Sequence, residues 1–143
     1  MKKIIFALCL VLVSTPFFAK DRTVKVSNLP SGITAFVTKY YPSAKITSVL
    51  QEVDDKDYNL KLSDGSELEF TQSAEWSEIK TKSSIPRGIL PQGILDYTSK
   101  TFPGKTVKSI EHCKAGYQIQ LNNNHKFQLD DHFKPTTFKE DND

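Results

Sequence analysis

The stretch Tyr58-Asn-Leu-Lys-Leu-Ser-Asp-Gly-Ser-Glu-Leu-Glu-Phe70 decides the fold of this chain. Apolar and polar residues alternate on both sides of Asp64-Gly65, which is typical of strands with one buried face. Glycine between two such runs favours a hairpin with a tight primed turn, because it accepts the positive φ that the turn requires. The stretch therefore predicts a β-hairpin with one apolar and one polar face.

The same pattern occurs a second time. Tyr117-Gln-Ile-Gln-Leu121, the turn Asn122-Asn123-Asn124 and Phe127-Gln-Leu129 repeat it, with asparagine as the residue that tolerates positive φ. Upstream of each hairpin, a Leu-Pro pair and an aromatic-Pro pair also recur at a spacing of 61 residues: Leu29-Pro30 with Leu90-Pro91, and Tyr41-Pro42 with Phe102-Pro103. The chain thus reads as a duplication.

Each copy is predicted to begin with a short helix. Between the two prolines of each copy, apolar residues follow helical spacing, and the first proline suits the first turn of a helix. The second proline ends it, because the residue before a proline is pushed out of the α region. The residues that carry this spacing are Ile33, Phe36, Val37 and Tyr40, then Ile94, Tyr97 and Thr98.

A first strand is expected after each helix, at Ala44 to Val53 and at Thr106 to Cys113. Its apolar residues are spaced by three, which predicts a bulge at Thr47-Ser48 and at Lys108-Ser109. Closing strands are expected around Trp76 to Ile79 and Phe133 to Phe138.

The fold class is therefore α+β, a tandem repeat of one short helix followed by about four antiparallel strands, with the helices on one face of a curved sheet. The expected organisation is a signal peptide at 1–19, a lead-in at 20–28, repeat 1 at 29–80, a linker at 81–89, repeat 2 at 90–138 and a charged tail at 139–143.

The first residues are typical of a secretory signal peptide. Lys2-Lys3 precede the apolar run Ile4 to Val13, which is too short to span a bilayer, and Ala19 offers a cleavage site. The expected location is the periplasm or the outside of the cell, with no membrane span in the mature chain. Cleavage also removes Cys9 and leaves Cys113 as one thiol, so we expect a hydrophobic core rather than a disulfide to stabilise the protein.

Removal of Lys2 and Lys3 leaves 17 basic residues against 17 acidic ones. Basic residues are scattered among acids without a stripe or run, which argues against nucleic acid as a partner.

No set of residues in the sequence is typical of an enzyme or a cofactor site. The neighbours His112 and Cys113 point to opposite faces of a strand, so they do not form a nucleophile–base pair. The three histidines His112, His125 and His132, with Asp130 and Asp131, leave a metal site open as an alternative, although paired His spacing is missing. Asp54-Asp55-Lys56-Asp57 lacks the glycine and distal glutamate of a calcium loop and favours a solvated turn.

The doubled order of Leu-Pro, short helix, aromatic-Pro, Tyr-x-Leu/Ile-x-Leu, turn and apolar-x-Phe/Leu, over residues 29–138, resembles the PepSY-like family, which is similar to the β-lactamase-inhibitor protein. The resemblance implies a secreted or periplasmic, non-enzymatic protein. It also implies that the open face of the sheet grips a protein partner, as in proteins of the inhibitor fold.

Strand alternation predicts the residues of that open face: Asn59, Lys61, Glu67, Glu69, Gln118, Gln120, Lys126 and Gln128. We expect an exported module that binds a protein or peptide through them, with inhibition of a peptidase or another envelope enzyme as one form of that role. The face has no aromatic anchor, which favours a weak or transient contact. A small-ligand or metal-binding envelope protein is the alternative, and Trp76 is expected in the core.

Overall fold

The computed structural model describes residues 21–136, which form two helices and one antiparallel sheet of nine strands in sequence order. The predicted signal peptide and charged tail lie outside the described residues. The helices are α1 (Ser31–Tyr40) and α2 (Gln92–Thr101). The strands are β1 (Arg22–Thr23), β2 (Ile46–Gln51), β3 (Tyr58–Leu62), β4 (Glu67–Phe70), β5 (Trp76–Lys80), β6 (Val107–Cys113), β7 (Gly116–Leu121), β8 (Lys126–Leu129) and β9 (Pro135–Thr136).

The deciding stretch forms the β3–β4 hairpin, with Leu60 opposite Leu68. The expected tight primed turn is wrong, because four residues separate the strands and Gly65 alone among them has a positive φ, of 87°. The Gly65 amide donates to the Leu62 carbonyl at 3.0 Å. The Asp64 carboxylate accepts from the Ser66 amide at 2.8 Å, which fixes this wider loop.

The second hairpin, β7–β8, has the same loop with asparagine in place of glycine. Asn124 has a φ of 68°, and its amide donates to the Leu121 carbonyl at 2.9 Å. The Asn123 side chain accepts from the His125 amide at 3.1 Å, as Asp64 does in the first loop. The prediction that asparagine supplies the positive φ is confirmed.

Both predicted bulges are present in the strands that follow the helices. The pairing of β2 with β3 shifts register between Ile46 and Ser48, and that of β6 with β7 shifts between Val107 and Ser109. The bulges explain the spacing of three, because the extra residue returns the next apolar side chain to the buried face.

One face of the sheet packs against both helices. The Phe36 ring of α1 meets Phe70 edge-on at a centroid distance of 5.1 Å, and Tyr97 of α2 lies 5.4 Å from Phe127. On the same face, cross-strand neighbours continue from one hairpin to the other without a break, through Leu60, Leu68, Ile79, Ile110 and Ile119. Each of these side chains is buried, and burying one aliphatic side chain stabilises a fold by about 1.5–3 kcal/mol.

The connection between the two halves is part of this packed body. β5 pairs with β6 through Ile79 and Ile110. Residues 81–89, the expected polar linker, extend that pairing, since the Ile85 amide donates to the Val107 carbonyl at 2.8 Å and the Ile85 side chain is 3% exposed. Hereafter the first half denotes residues 29–80 and the second half denotes 90–136.

Cys113 is the last residue of β6, and Cys9 lies outside the described residues. The expectation that cleavage leaves Cys113 as one thiol concerns the mature chain and stays a prediction. Within residues 21–136, neither helix has the length and apolar character needed to cross a membrane.

Candidate functional site on the sheet face

The sheet face opposite the helices, called the open face here, carries all eight residues predicted for binding. They lie in two rows that run across the strands. The register sets them opposite one another as Asn59 with Glu69, Lys61 with Glu67, Gln118 with Gln128, and Gln120 with Lys126. The two hairpins therefore contribute to one continuous polar surface.

Exposure differs among the eight residues. Lys61, Glu67 and Lys126 are exposed, whereas Asn59, Glu69, Gln118 and Gln120 are half-buried. Gln128 is only 7% exposed, so its expected solvent-facing position is wrong. Its strand lies between β7 and β9, and the neighbouring side chains Gln118 and Thr136 flank it in the same row.

The centre of the open face belongs to residues that were missed by sequence reasoning. β5 and β6 lie between the two hairpins and add Glu78, Lys80 and Glu111 to the rows. Glu78 and Lys80 flank the buried Ile79, and Glu111 follows the buried Ile110. The alternation that defines the hairpins also holds in β5 and β6, and it puts these three residues on the polar face.

Three carboxylates lie side by side in one of these rows. Glu69 is opposite Glu78, and Glu78 is opposite Glu111. Partial burial and then the neighbouring carboxylates raise the pKa of Glu111; burial likewise raises the pKa of Glu69, although a hydrogen bond from Ser77 at 2.9 Å opposes the rise. Lys80 lies in the neighbouring row, and its Nζ is 2.8 Å from a Glu78 carboxylate oxygen.

The acidic surface continues toward the end of β2. The Glu52 carboxylate accepts a hydrogen bond from the Asn59 side-chain amide at 3.1 Å. Burial, followed by a hydrogen bond that the protonated Glu52 carboxyl donates to Asp55, raises the pKa of Glu52 to about 7. Burial and the Asp55 charge also raise the pKa of Asp57. The surroundings of these carboxyl groups thus disfavour their charged form. A cationic partner stabilises that charged form, so this surface favours binding of a cation.

Other candidate groups do not converge into a chemical site. Among residues 21–136, no three His, Cys, Asp or Glu side chains are placed to hold a metal ion. The His112 Nε2 lies 3.5 Å from an Asp131 oxygen, whereas His125 lies beside the Phe102 ring at 4.9 Å. The Asp57 amide donates to the Asp55 carboxylate at 3.3 Å, which fits a solvated turn.

The helices on one face and the polar rows on the other define a small α+β domain that presents a broad sheet surface. The chain belongs to the PepSY-like family: the family model described as "Putative beta-lactamase-inhibitor-like, PepSY-like" matches residues 17–68 and again 56–136. No curated protein matches the sequence.

Three solved structures with the same fold, from two Bacteroides species, are similar to this chain. A "putative periplasmic protein" of the DUF2874 family from Bacteroides vulgatus has a TM-score of 0.79 at 26% identity, over 85% of this chain and 98% of its own. A "putative calcium-regulated periplasmic protein" from Bacteroides thetaiotaomicron has a TM-score of 0.77 at 25% identity, over 84% and 97%. A further protein of unknown function from Bacteroides vulgatus has a TM-score of 0.76 at 26% identity, over 84% and 99%.

Proposed function

We propose that this protein is an exported, non-enzymatic module that binds a protein or peptide through its open face. The observation that carries the proposal is the continuous polar surface made by both hairpins, with three carboxylates in register at its centre. A sheet surface of this kind contacts an extended area of a partner, whereas an enzyme needs a pocket of convergent polar groups. The β-lactamase-inhibitor-like description of the family supports the same role, including inhibition of an envelope enzyme.

The charge of the open face favours a basic partner. Six carboxylates share the rows and their extension along β2 with three lysines: Glu52, Asp57, Glu67, Glu69, Glu78 and Glu111 against Lys61, Lys80 and Lys126. Complementary charge speeds association more than it tightens the complex. Because these rows carry no Trp, Tyr or Arg, the contact is transient rather than tight.

We also infer that the two halves are copies of one helix-and-four-strand unit and that the chain is exported. The shared loops and shared bulges support duplication. The n-region, apolar run and Ala19 of residues 1–19 support a cleaved signal peptide, and the periplasmic descriptions of the structural neighbours agree with it.

Affinity capture from the native envelope tests the binding role. The bait is the mature protein, compared with the double charge reversals E78K/E111K and K61E/E69K. The matched control is D96K, a reversal at an exposed position of α2 on the helix side. We expect a partner that is captured by the parent and by D96K but lost with E78K/E111K. Capture that is unchanged by both double reversals contradicts the proposal.

A small-ligand or metal-binding role is the alternative, and the calcium-regulated description of one neighbour makes calcium the first ion to test. Melting temperatures with Ca²⁺, Zn²⁺ and Cu²⁺ separate the two functions, because a ligand that binds the folded state raises the melting temperature. The binding-module proposal expects no shift with any of the three ions. A saturable shift that D55N/D57N abolishes favours the alternative.

A further inference from the structure

A groove of about 420 Å³ lies on the helix side of the sheet, where the two halves meet. Phe36 of α1 and Trp76 of β5 line one part of it, and Pro91, His112 and Tyr117 of the second half line another. Its volume lies in the range of small-ligand sites, about 300–1,000 Å³. The open face is on the other side of the sheet, so the groove is a separate site.

Aromatic rings dominate the groove. The His112 ring stacks on Tyr117 at a centroid distance of 4.4 Å and an interplanar angle of 11°. Trp76 lies 6.3 Å from His112 at a tilt of 51°, so its ring contacts the edge of the stacked pair and adds a third aromatic wall to the groove. Trp76 packs against the hydrophobic core, as expected, and its half-buried ring also forms a wall of this groove.

The charge around the groove is negative. Glu75 is the one Asp, Glu, Lys or Arg among its lining residues, and its side chain is exposed. The backbone of Glu75 is fixed, since its carbonyl accepts from the Thr71 amide at 2.7 Å and its amide donates to the Thr71 hydroxyl at 3.3 Å. Asp131, 3.5 Å from His112, adds a second carboxylate near the rim.

We propose that this groove binds the guanidinium group of an arginine side chain presented by a peptide. A planar guanidinium stacks on aromatic faces and pairs with a carboxylate through two parallel hydrogen bonds, so it matches both Trp76 and Glu75. Lysine presents a compact, strongly hydrated charge that gains less from a flat ring. The binding free energy comes from the rings together with the carboxylate, and neither is sufficient alone.

Trp76 is the one tryptophan of the chain, so its fluorescence reports directly on the groove. The probe is N-acetyl-arginine amide, titrated into the mature protein and compared with the uncharged isostere N-acetyl-citrulline amide. We expect a saturable change in emission with the arginine probe and affinity at least about fivefold lower for the citrulline probe, because the cation–π and ion-pair terms are lost.

Matched variants separate the groove from the open face. E75Q is expected to weaken binding of the arginine probe about fivefold, and E67Q, an equally exposed carboxylate on the open face, to leave it unchanged. Equal affinity for both probes, an equal loss in E67Q and E75Q, or no saturation overturns the proposal. Tighter binding of tetramethylammonium or of free arginine contradicts the assignment to a peptide-borne guanidinium. Capture by the open face is unaffected by E75Q, so failure of one proposal is distinguishable from failure of the other.

Discussion

The two halves of the molecule have the same order of helix and strands, but different side chains cover the starts of their helices. In the loop after the third strand, Ala74 of the first half and Phe133 of the second half have nearly the same φ, 64° and 61°. The Phe133 ring covers Gly93 and stacks 5.8 Å from Tyr117, whereas Ala74 brings only a methyl group near Gly32. The second half therefore covers the start of its helix with an aromatic ring, while the first half leaves space that becomes part of the groove.

The halves also differ in charge on the open face. The first hairpin carries Glu67 and Glu69, whereas the second carries glutamines at three of its four positions. β5 and β6 place Glu78 and Glu111 next to the acidic hairpin, so negative charge concentrates in the first half and at the junction. Apart from Glu111 at the junction, the second half extends the surface without adding a carboxylate to these rows.

The largest expected effect concerns the junction that makes the two halves one body. Ile79→Ala removes a fully buried side chain between β4 and β6 and is expected to cost about 2–5 kcal/mol of unfolding free energy. Urea unfolding followed by both Trp76 fluorescence and circular dichroism measures it. Ile119→Ala serves as the comparison within the second half. Both variants are expected to unfold in one transition, and two separated transitions contradict a single cooperative sheet.

Gly32 of α1 and Gly93 of α2 test this difference in how the two helix starts are covered. A Cβ at Gly93 would overlap the Phe133 ring, whereas a Cβ at Gly32 meets the Ala74 Cβ at an ordinary contact distance of 3.4 Å. Gly93→Ala is therefore expected to destabilise the protein by about 1–3 kcal/mol through displacement of the ring. Gly32→Ala is expected to be neutral or to stabilise it by up to about 1 kcal/mol. Chemical denaturation of the two variants checks this, and equal effects would show that the halves close alike.

The two hairpin loops predict a smaller difference. Asn124→Gly keeps the positive φ but removes the Cβ that makes this backbone conformation unfavourable. The substitution is therefore expected to stabilise the fold by about 0.5–1 kcal/mol. Gly65→Asn at the corresponding position is expected to cost a similar amount, since asparagine tolerates this region less well than glycine. Thermal melts of the two single variants measure the pair. Changes of the same sign contradict the equivalence of the loops.

The smallest effect is a pH dependence from the acidic half. The folded-state pKa of Glu52, about 7, lies above its ordinary value of 4.5, so the folded state binds more protons between these values. Stability is therefore expected to fall as the pH rises through this window. Melting temperatures between pH 5 and pH 8 measure the slope, and E52Q is expected to flatten it. A melting temperature that rises with pH across the window, and does so equally in E52Q, contradicts the assignment.

Local periodicity was sufficient to predict much of this fold. The two hairpins, the helix ends at prolines and both bulges follow from the spacing of apolar residues and from backbone limits at proline, glycine and asparagine. The loop around Gly65 was predicted with the wrong geometry, because the Asp64 side chain stabilises a four-residue loop that the Asp-Gly signal does not distinguish.

The candidate site was only partly predictable. Alternation placed Lys61 and Glu67 on the open face, but the pairing of β5 with β6 is a long-range contact that local pattern does not encode. That pairing brings Glu78 beside Glu111, and it also joins Trp76 with Tyr117 around one groove. The burial of Gln128 depends likewise on which strands flank it.

The central claim is that the acidic rows of the open face form the binding surface. Amide chemical shifts of the isotopically labelled protein, recorded with and without its captured partner, test it most directly. The account predicts that the changes concentrate on β4, β5 and β6, at Glu69, Glu78 and Glu111, and disappear with E78K/E111K. Changes confined to α1 and α2, with those three strands unaffected, would contradict it.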